Sequence, residues 1–219
     1  MKIVQPYAML MDVPDRKAGI GLLKKIEWCG RISHRSEEAQ TGDSWERFIR
    51  TVVLGHGDWS IVEHASASVD MLVDRGITHE VVRHRLFSFT QESTRFVNYE
   101  KKMPASFICP QLEDDGALYR EWANQIVLAE ASYKELIARG CAPQIARSVF
   151  PNALASRIII TGNLRNWRHF FIMRTTKEAH PQMRQVTIPL LAEFQEKIPI
   201  LFEDIEPMAK QSEAMKKGR

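Results

Sequence analysis

At 219 residues with 44% apolar content, the chain is long enough to bury a core of its own and suits one domain, 1–219, rather than two. A formal net charge of +3 admits a small anionic ligand and falls short of the basic stripe expected of a nucleic-acid binder. Three widely spaced cysteines, Cys29, Cys109 and Cys141, form no Cys-x-x-Cys pair, which argues against a disulfide framework or zinc knuckle and for a reducing cytoplasm.

The first residues, Met1-Lys2-Ile3-Val4-Gln5-Pro6, lack the apolar centre of a signal peptide, and no run approaches the roughly 20 apolar residues of a membrane span. A soluble, cytoplasmic protein with no membrane partner is expected. Met1 to Met11 reads as a strand, and apolar spacing predicts helices over Lys17 to Cys29 and Ser44 to Leu54. Ile61 to Val73 alternates, with Ala65, Ala67, Val69 and Met71 opposite Ser66, Ser68 and Asp70, the period of a half-buried strand that Gly76 ends. Thr78 to Phe87 reads as a helix, and Ser88 to Asn98 as a loop or extended segment. Leu118 to Arg139 is the clearest amphipathic helix, with Leu118, Trp122, Ile126, Ala129, Tyr133 and Leu136 on one side and Gly140 closing it. Pro143 opens a short helix ended by Pro151. Ala155 to Thr161 is strand-like, Asn163 to Arg174 is helical, and Pro181 starts a last long helix that Pro189 bends. Interleaved helices and few strands indicate an α+β fold: a single domain with a central, mostly antiparallel sheet flanked by helices.

The most informative stretch runs from Arg83 to Arg95. It packs Arg83, Arg85 and Arg95, His84, and the hydroxyls of Ser88, Thr90, Ser93 and Thr94 into thirteen residues of a weakly basic chain. Guanidinium groups beside hydroxyls suit bidentate binding of a phosphate. A solvated basic face is the bland reading, but Leu86, Phe87 and Phe89 are interleaved and should be partly buried, so the polar groups beside them need partners.

The pattern Arg83-His84-Arg85, seven residues, then Ser93 resembles the signature of the flavin-dependent thymidylate synthases, and Gln91-Glu92-Ser93-Thr94-Arg95-Phe96 continues the likeness, which extends from about Ser60 to about Arg184. The resemblance implies FAD as cofactor, with NADPH and methylenetetrahydrofolate as co-substrates, in the conversion of dUMP to dTMP. It assigns Ser60, Arg83, His84, Arg85, Gln91, Asn163, Leu164, Arg165 and His169 to the flavin. Glu80, Val81, Val82, Arg83, Gln91, Glu92, Ser93, Thr94, Arg95, Arg147 and Arg174 fall to dUMP. Arg174 faces the uracil ring in this scheme, where a permanently protonated guanidinium stabilises developing negative charge rather than acting as a base. The family is a homotetramer with active sites shared between subunits, and no metal is implied. The chain departs from the usual pattern in three places: Glu80 stands for glutamine, Gln144 for glutamate and His169 for asparagine. Family members also carry a histidine just before the hydroxyl matched by Ser60, whereas His56 here lies four residues earlier.

Helical steps of about 100° per residue put Asn163, Phe170 and Arg174 on one face and Arg165, His169 and Ile172 on another. Surface arginines over an aromatic core explain that pattern equally well from this segment alone. Three other patterns are present in the chain. His79-Glu80-Val81-Val82-Arg83-His84 misses the zinc-protease pattern by one residue, since the second histidine belongs at i+4. Gly19-Ile20-Gly21 lacks the third glycine and the preceding strand of a dinucleotide fingerprint. A non-enzymatic RNA-binding module, stacking bases on the arginines and phenylalanines of 83–96, stays open as the alternative.

Overall fold

Pro6 divides the first expected strand. In a computed structural model describing residues 1–101, 103–112 and 116–210, β1 is Lys2–Ile3 and β2 is Tyr7–Leu10, separated by a residue with no amide proton to give a ladder. Helix α1 (Arg16–Ile32) starts at Asp15, whose carboxylate accepts from the Ala18 amide, a side-chain N-cap. The expected helix 44–54 is α only over α2 (Ser44–Phe48) and continues as π-helical turns through Ile49–Gly55.

Strand β3 (Ser66–Asp74) begins later than the alternation suggested, because residues Trp59–His64 form 3-10 turns. Within it Ala67, Val69 and Met71 are buried as read, and Val73 with them, while Asp70, expected on the open face, is buried as well. Gly76 does not end the strand. Asp74 does so, its carboxylate capping the Ile77 amide at the start of α3 (Arg75–Val81), and Gly76 sits within that helix. Helix α3 also stops short of Phe87: Arg83 and Phe87 donate from their amides to Glu80 and His84 carbonyls in successive turns. The polar run Arg83-His84-Arg85 gives a helix no apolar face to bury there.

After β4 (Ser88–Gln91) and β5 (Ser106–Phe107) comes α4 (Gly116–Ala138). Ile126 and Tyr133 are buried on its inner stripe, while Leu118, expected on that stripe, is 55% exposed in the first turn. Gly140 takes φ +86° and lets Cys141 close on the Leu136 carbonyl, a left-handed helix ending. The remaining elements are α5 (Pro143–Ala146), β6 (Ala155–Asn163), α6 (Leu164–Arg174) and α7 (Pro181–Lys197), which carries Pro189 internally.

Strand order in the four-stranded sheet is β2-β3-β6-β4, and β1 pairs with β5 in parallel. The Leu164 amide donates to Ala65, the Ser68 and Thr161 hydroxyls lie 2.9 Å apart, and the Arg75 amide donates to Leu154. Rising numbers on β3 meet falling numbers on β6, so these strands are antiparallel. The mostly antiparallel α+β class expected from the sequence is the one observed.

The chain forms two compact units. One comprises Met1–Tyr7, Met71–Arg83 and Thr90–Ile159, and the other comprises Ala8–Asp70, His84–Phe89 and the chain from Ile160 on. The first is centred on Tyr99, Phe107, Ile126 and Tyr133, with Tyr133 stacked on Phe150 at 4.5 Å. In the second, Trp167, Phe170, Phe171, Phe194 and Phe202 are buried and meet ring against ring, Phe171 and Phe194 at 4.9 Å. Rings in edge-on and offset contact add about 0.5–1.5 kcal/mol per pair beyond area burial. The three cysteines are free thiols.

Candidate active site

The residues assigned to the flavin fall mainly in the second unit. Helix α6 is launched by Asn163, whose side chain accepts from the Asn166 amide at 2.8 Å; this cap occupies Asn163's carbonyl oxygen and aligns the first turn. Leu164 is fully buried and anchors the helix. The next polar positions line a cavity of about 470 Å³ bounded by Arg165, Asn166 and His169 on α6, by Trp59 and Glu63 from the 3-10 turns, and by Leu86. Arg165 Nη1 lies 2.6 Å from Glu63 Oε1, with both side chains about half exposed. Asn166 Nδ2 donates to the Leu86 carbonyl at 3.0 Å, tying the turn 84–87 to the helix.

That turn is seated by Phe87. A Cβ on Gly162 would fall 2.3 Å from the Phe87 ring, so only glycine leaves the notch into which the ring docks. Phe87 then meets Trp167 at 4.8 Å. Leu86 departs from expectation: it is 78% exposed, because the half-buried Phe87 takes the inward position of the turn. Arg85 points to an exposed part of the same turn.

His84 is half-buried, with its ring 5.0 Å edge-on from Phe170, and its Nε2 accepts a hydrogen bond from Arg174 Nε at 2.9 Å. Burial, then the positive charges of Arg174 and His169, push its pKa down to about 4. The unfolded chain, with an ordinary histidine, binds a proton below about 6.5 that the folded chain refuses until about 4. The contribution is therefore full above pH 6.5 and is lost as pH falls toward 4. Discounted for the part-exposed ring, this is about 1–2 kcal/mol. Thermal unfolding followed from pH 7 to 4 should show the loss, and His84→Gln should flatten that slope; an unchanged slope would refute the assignment.

One functional-looking residue beside this cavity carried no sequence signal. Arg168 is only 4% exposed, is held by Asp204 and by the Leu201 carbonyl, and its guanidinium lies 4.7 Å from the Trp59 ring centre. It thereby fixes Trp59 as a wall of the cavity. Its partners are more than thirty residues away in sequence, so local spacing holds no trace of them. Ser60 does not join this cavity. It lines another, of about 400 Å³, with Arg31, His34, His56 and Asp58. His56, given no role from the sequence, thus shares a cavity with Ser60.

The residues assigned to dUMP fall in the first unit, apart from Arg174. Arg147 Nη1 donates to Thr94 Oγ1 at 2.5 Å, and Thr94 is buried at 3% exposure. Arg147, Thr94, Gln144 and Ser148 line an open pocket of about 390 Å³ together with Arg75, which the sequence reading did not single out. Two arginines beside hydroxyls and an amide make this pocket rich in donors of the kind an anion needs. Gln91 Nε2 donates to Thr78 and Ser156 hydroxyls, both at 3.0 Å, so its amide is committed to holding β4 in place. Glu92 accepts from the Tyr99 hydroxyl at 2.9 Å; burial and this carboxylate push the phenol well above its usual range. Ser93 Oγ accepts from the Arg95 amide at 3.3 Å, a turn-forming role. Arg95 is exposed, its guanidinium 5.5 Å from the Phe96 ring. Arg83 and Val82 are exposed, Glu80 is half-buried, and Val81 is buried, so only its main chain is available to a ligand.

The profile described as thymidylate synthase complementing protein matches residues 21–200. The chain is 34% identical over 216 residues to a flavin-dependent thymidylate synthase of Mycobacterium tuberculosis (strain H37Rv), covering 89% of this chain and 84% of that protein. It is 33% identical over 198 residues to the flavin-dependent thymidylate synthase of Pyrococcus furiosus, covering 86% and 78%. Among solved structures, the UMP/dUMP methylase PolB from Streptomyces cacaoi, bound with 5-Br dUMP, superposes with a TM-score of 0.78 at 22% identity, over 93% of this chain and 96% of that one. At that identity the likeness is one of fold.

Proposed function

Because the chain belongs to the thymidylate synthase complementing protein family, we propose that it is a flavin-dependent thymidylate synthase that methylates dUMP to dTMP. The observation that carries this reading is α6: one helix lines the 470 Å³ cavity with Arg165, Asn166 and His169 and ends in Arg174, anchored by His84. The residues acting on dUMP and flavin are taken as parts of one catalytic domain spanning 1–219.

The cavity fits part of a flavin nucleotide in size and chemistry, with donors from Arg165, Asn166 and His169 and apolar walls from Trp59, Leu86 and Ile172. We assign Ser60, Arg83, His84, Arg85, Gln91, Asn163, Leu164, Arg165 and His169 to holding FAD. Bound FAD supplies the reducing equivalents, received from NADPH, and methylenetetrahydrofolate supplies the carbon. The balance is dUMP, methylenetetrahydrofolate, NADPH and a proton giving dTMP, tetrahydrofolate and NADP⁺.

The chain's own residues then have defined tasks. Arg147, Thr94, Ser93 and Arg95 take the nucleotide phosphate through guanidinium, hydroxyl and amide donors. We assign Glu80 to Arg83 and Gln91 to Glu92 to the rest of the nucleotide. Arg174 acts as an electrostatic stabiliser, not as a base, for the negative charge that must build on the pyrimidine for its fifth carbon to accept a substituent. The working protein is taken to be a cytoplasmic homotetramer with shared sites.

The RNA-binding alternative loses support on one observation. Phe87 is docked in the Gly162 notch against Trp167, which removes it as a stacking platform for bases. The decisive test is the visible spectrum of the purified protein before and after anaerobic NADPH, with and without dUMP. A flavin band bleached by NADPH, with dTMP as product, supports the proposal. A colourless protein that FAD does not reconstitute would overturn it. Arg165→Ala should raise the dissociation constant for FAD about tenfold, the loss of one charge-assisted contact, measurable by equilibrium dialysis; unchanged affinity would remove Arg165 from the flavin site.

A further inference from the structure

Arg174 is anchored at both ends. Its carbonyl accepts from the Thr187 hydroxyl of α7 at 2.8 Å, which fixes where the main chain of α6 ends. Its side chain meets His84, whose position follows from Phe87 in the Gly162 notch and from the Phe170 edge. Nε lies in the guanidinium plane, so a bond from Nε to a fixed acceptor sets the direction and the rotation of that plane. An acceptor here must be an imidazole with a lone pair on Nε2 and its proton on Nδ1. Protonation would place a cation against the Arg174 cation and end the contact.

Building on Arg174 as the ring-activating group, we infer that His84 is a positioning residue for Arg174: its neutral imidazole accepts from Nε and holds the guanidinium plane in the orientation needed to meet the uracil. The motif histidine then serves the activating arginine as well as the flavin. Geometry of this kind matters because displacement of a catalytic group by about 1 Å costs up to about 100-fold in rate. Charged and titratable groups near the ring are Arg174 and His169 on α6, with Arg83 and Arg85 beside it in sequence. His169 lies with its ring 6.4 Å away.

The test uses the full-length enzyme at saturating FAD, NADPH and methylenetetrahydrofolate, with kcat and the dUMP KM measured from pH 8 down to pH 4, where His84 takes up its proton, for wild type, His84→Ala and His84→Gln. In His84→Ala, kcat should fall about 10–100-fold with KM for dUMP changing less than about threefold. In His84→Gln the amide oxygen is an acceptor that does not titrate. About a tenfold recovery of kcat over His84→Ala is therefore expected, together with loss of the acid-side decline that wild type shows as His84 begins to take up a proton. Equal kcat in the two variants, an unchanged acid limb in His84→Gln, or full kcat in His84→Ala once FAD is saturating would each overturn the positioning role while leaving thymidylate synthesis intact. Absence of dTMP from the wild-type enzyme would instead bring down the underlying reading, and this inference with it.

Discussion

Replacing Arg174 by alanine is expected to lower dTMP formation at least about 1,000-fold while the protein keeps its fold and most of its flavin. Removing a single preorganised donor from a site of developing negative charge costs about 10²–10³ in rate. Here the side chain also carries a full charge that no neighbour replaces in kind, since His84 is held neutral beside it. The structural cost should be small. Arg174 is the last residue of α6 and only partly buried, so the helix loses about 0.3–1 kcal/mol of favourable interaction with its C-terminal dipole. The main-chain contact with Thr187 survives the substitution, because it uses the carbonyl. Arg174→Lys sharpens the test: the charge remains, but the planar Nε donor to His84 is gone. Its activity should fall between those of wild type and Arg174→Ala. Product formation from dUMP, read beside the flavin absorbance of each variant, separates chemistry from cofactor loss. Turnover retained in Arg174→Ala would end the activation role.

How far the sequence revealed this arrangement depends on the range of the interactions. Strand β3 was legible because burial on one face repeats every second residue, and Ala67, Val69, Met71 and Val73 obey that rule. Helix α6 was legible because a capping asparagine and an aromatic stripe mark it locally. The end of α3 was not, since the turn that follows it is seated by Phe87 against Gly162, a contact from outside the segment. Gly162 lies 75 positions beyond Phe87 by their numbering, and no local pattern announces that notch. Ser60 was placed with the flavin residues by family likeness, yet it opens on a different cavity from Arg165. Neighbouring residues of a 3-10 turn point in different directions, so Trp59 and Glu63 line one cavity while Ser60 lines the other. The pair Arg168–Asp204 lay beyond the sequence's reach for the same reason as the notch: its partners meet only after α7 has returned the chain.

Gly19-Ile20-Gly21 gives the sharpest case of a motif whose meaning is set by packing. As a phosphate loop it was weak, and the structure places both glycines inside α1. An added Cβ at Gly19 would stand 1.8 Å from the Lys197 carbonyl oxygen at the end of α7, while at Gly21 nothing lies within 4 Å. Gly19 is thus the point where two helix backbones touch, and the obstacle is main chain, which cannot swing aside as a long side chain can. Gly19→Ala must push α7 away from a core that includes Leu190, Leu191 and Phe194, all fully buried. Overpacking of this kind costs about 1–3 kcal/mol and more where backbone must move, so a loss of about 3 kcal/mol or more is expected. Gly21→Ala should act in the opposite sense, gaining about 0.5–1 kcal/mol, since alanine restricts the unfolded chain and favours the helix at no steric cost. Both substitutions carry the same intrinsic helix preference, so the difference between them isolates the contact with α7. Chemical denaturation of the two variants beside wild type checks this: a Gly19→Ala protein as stable as Gly21→Ala would mean that the helices do not approach as closely as described.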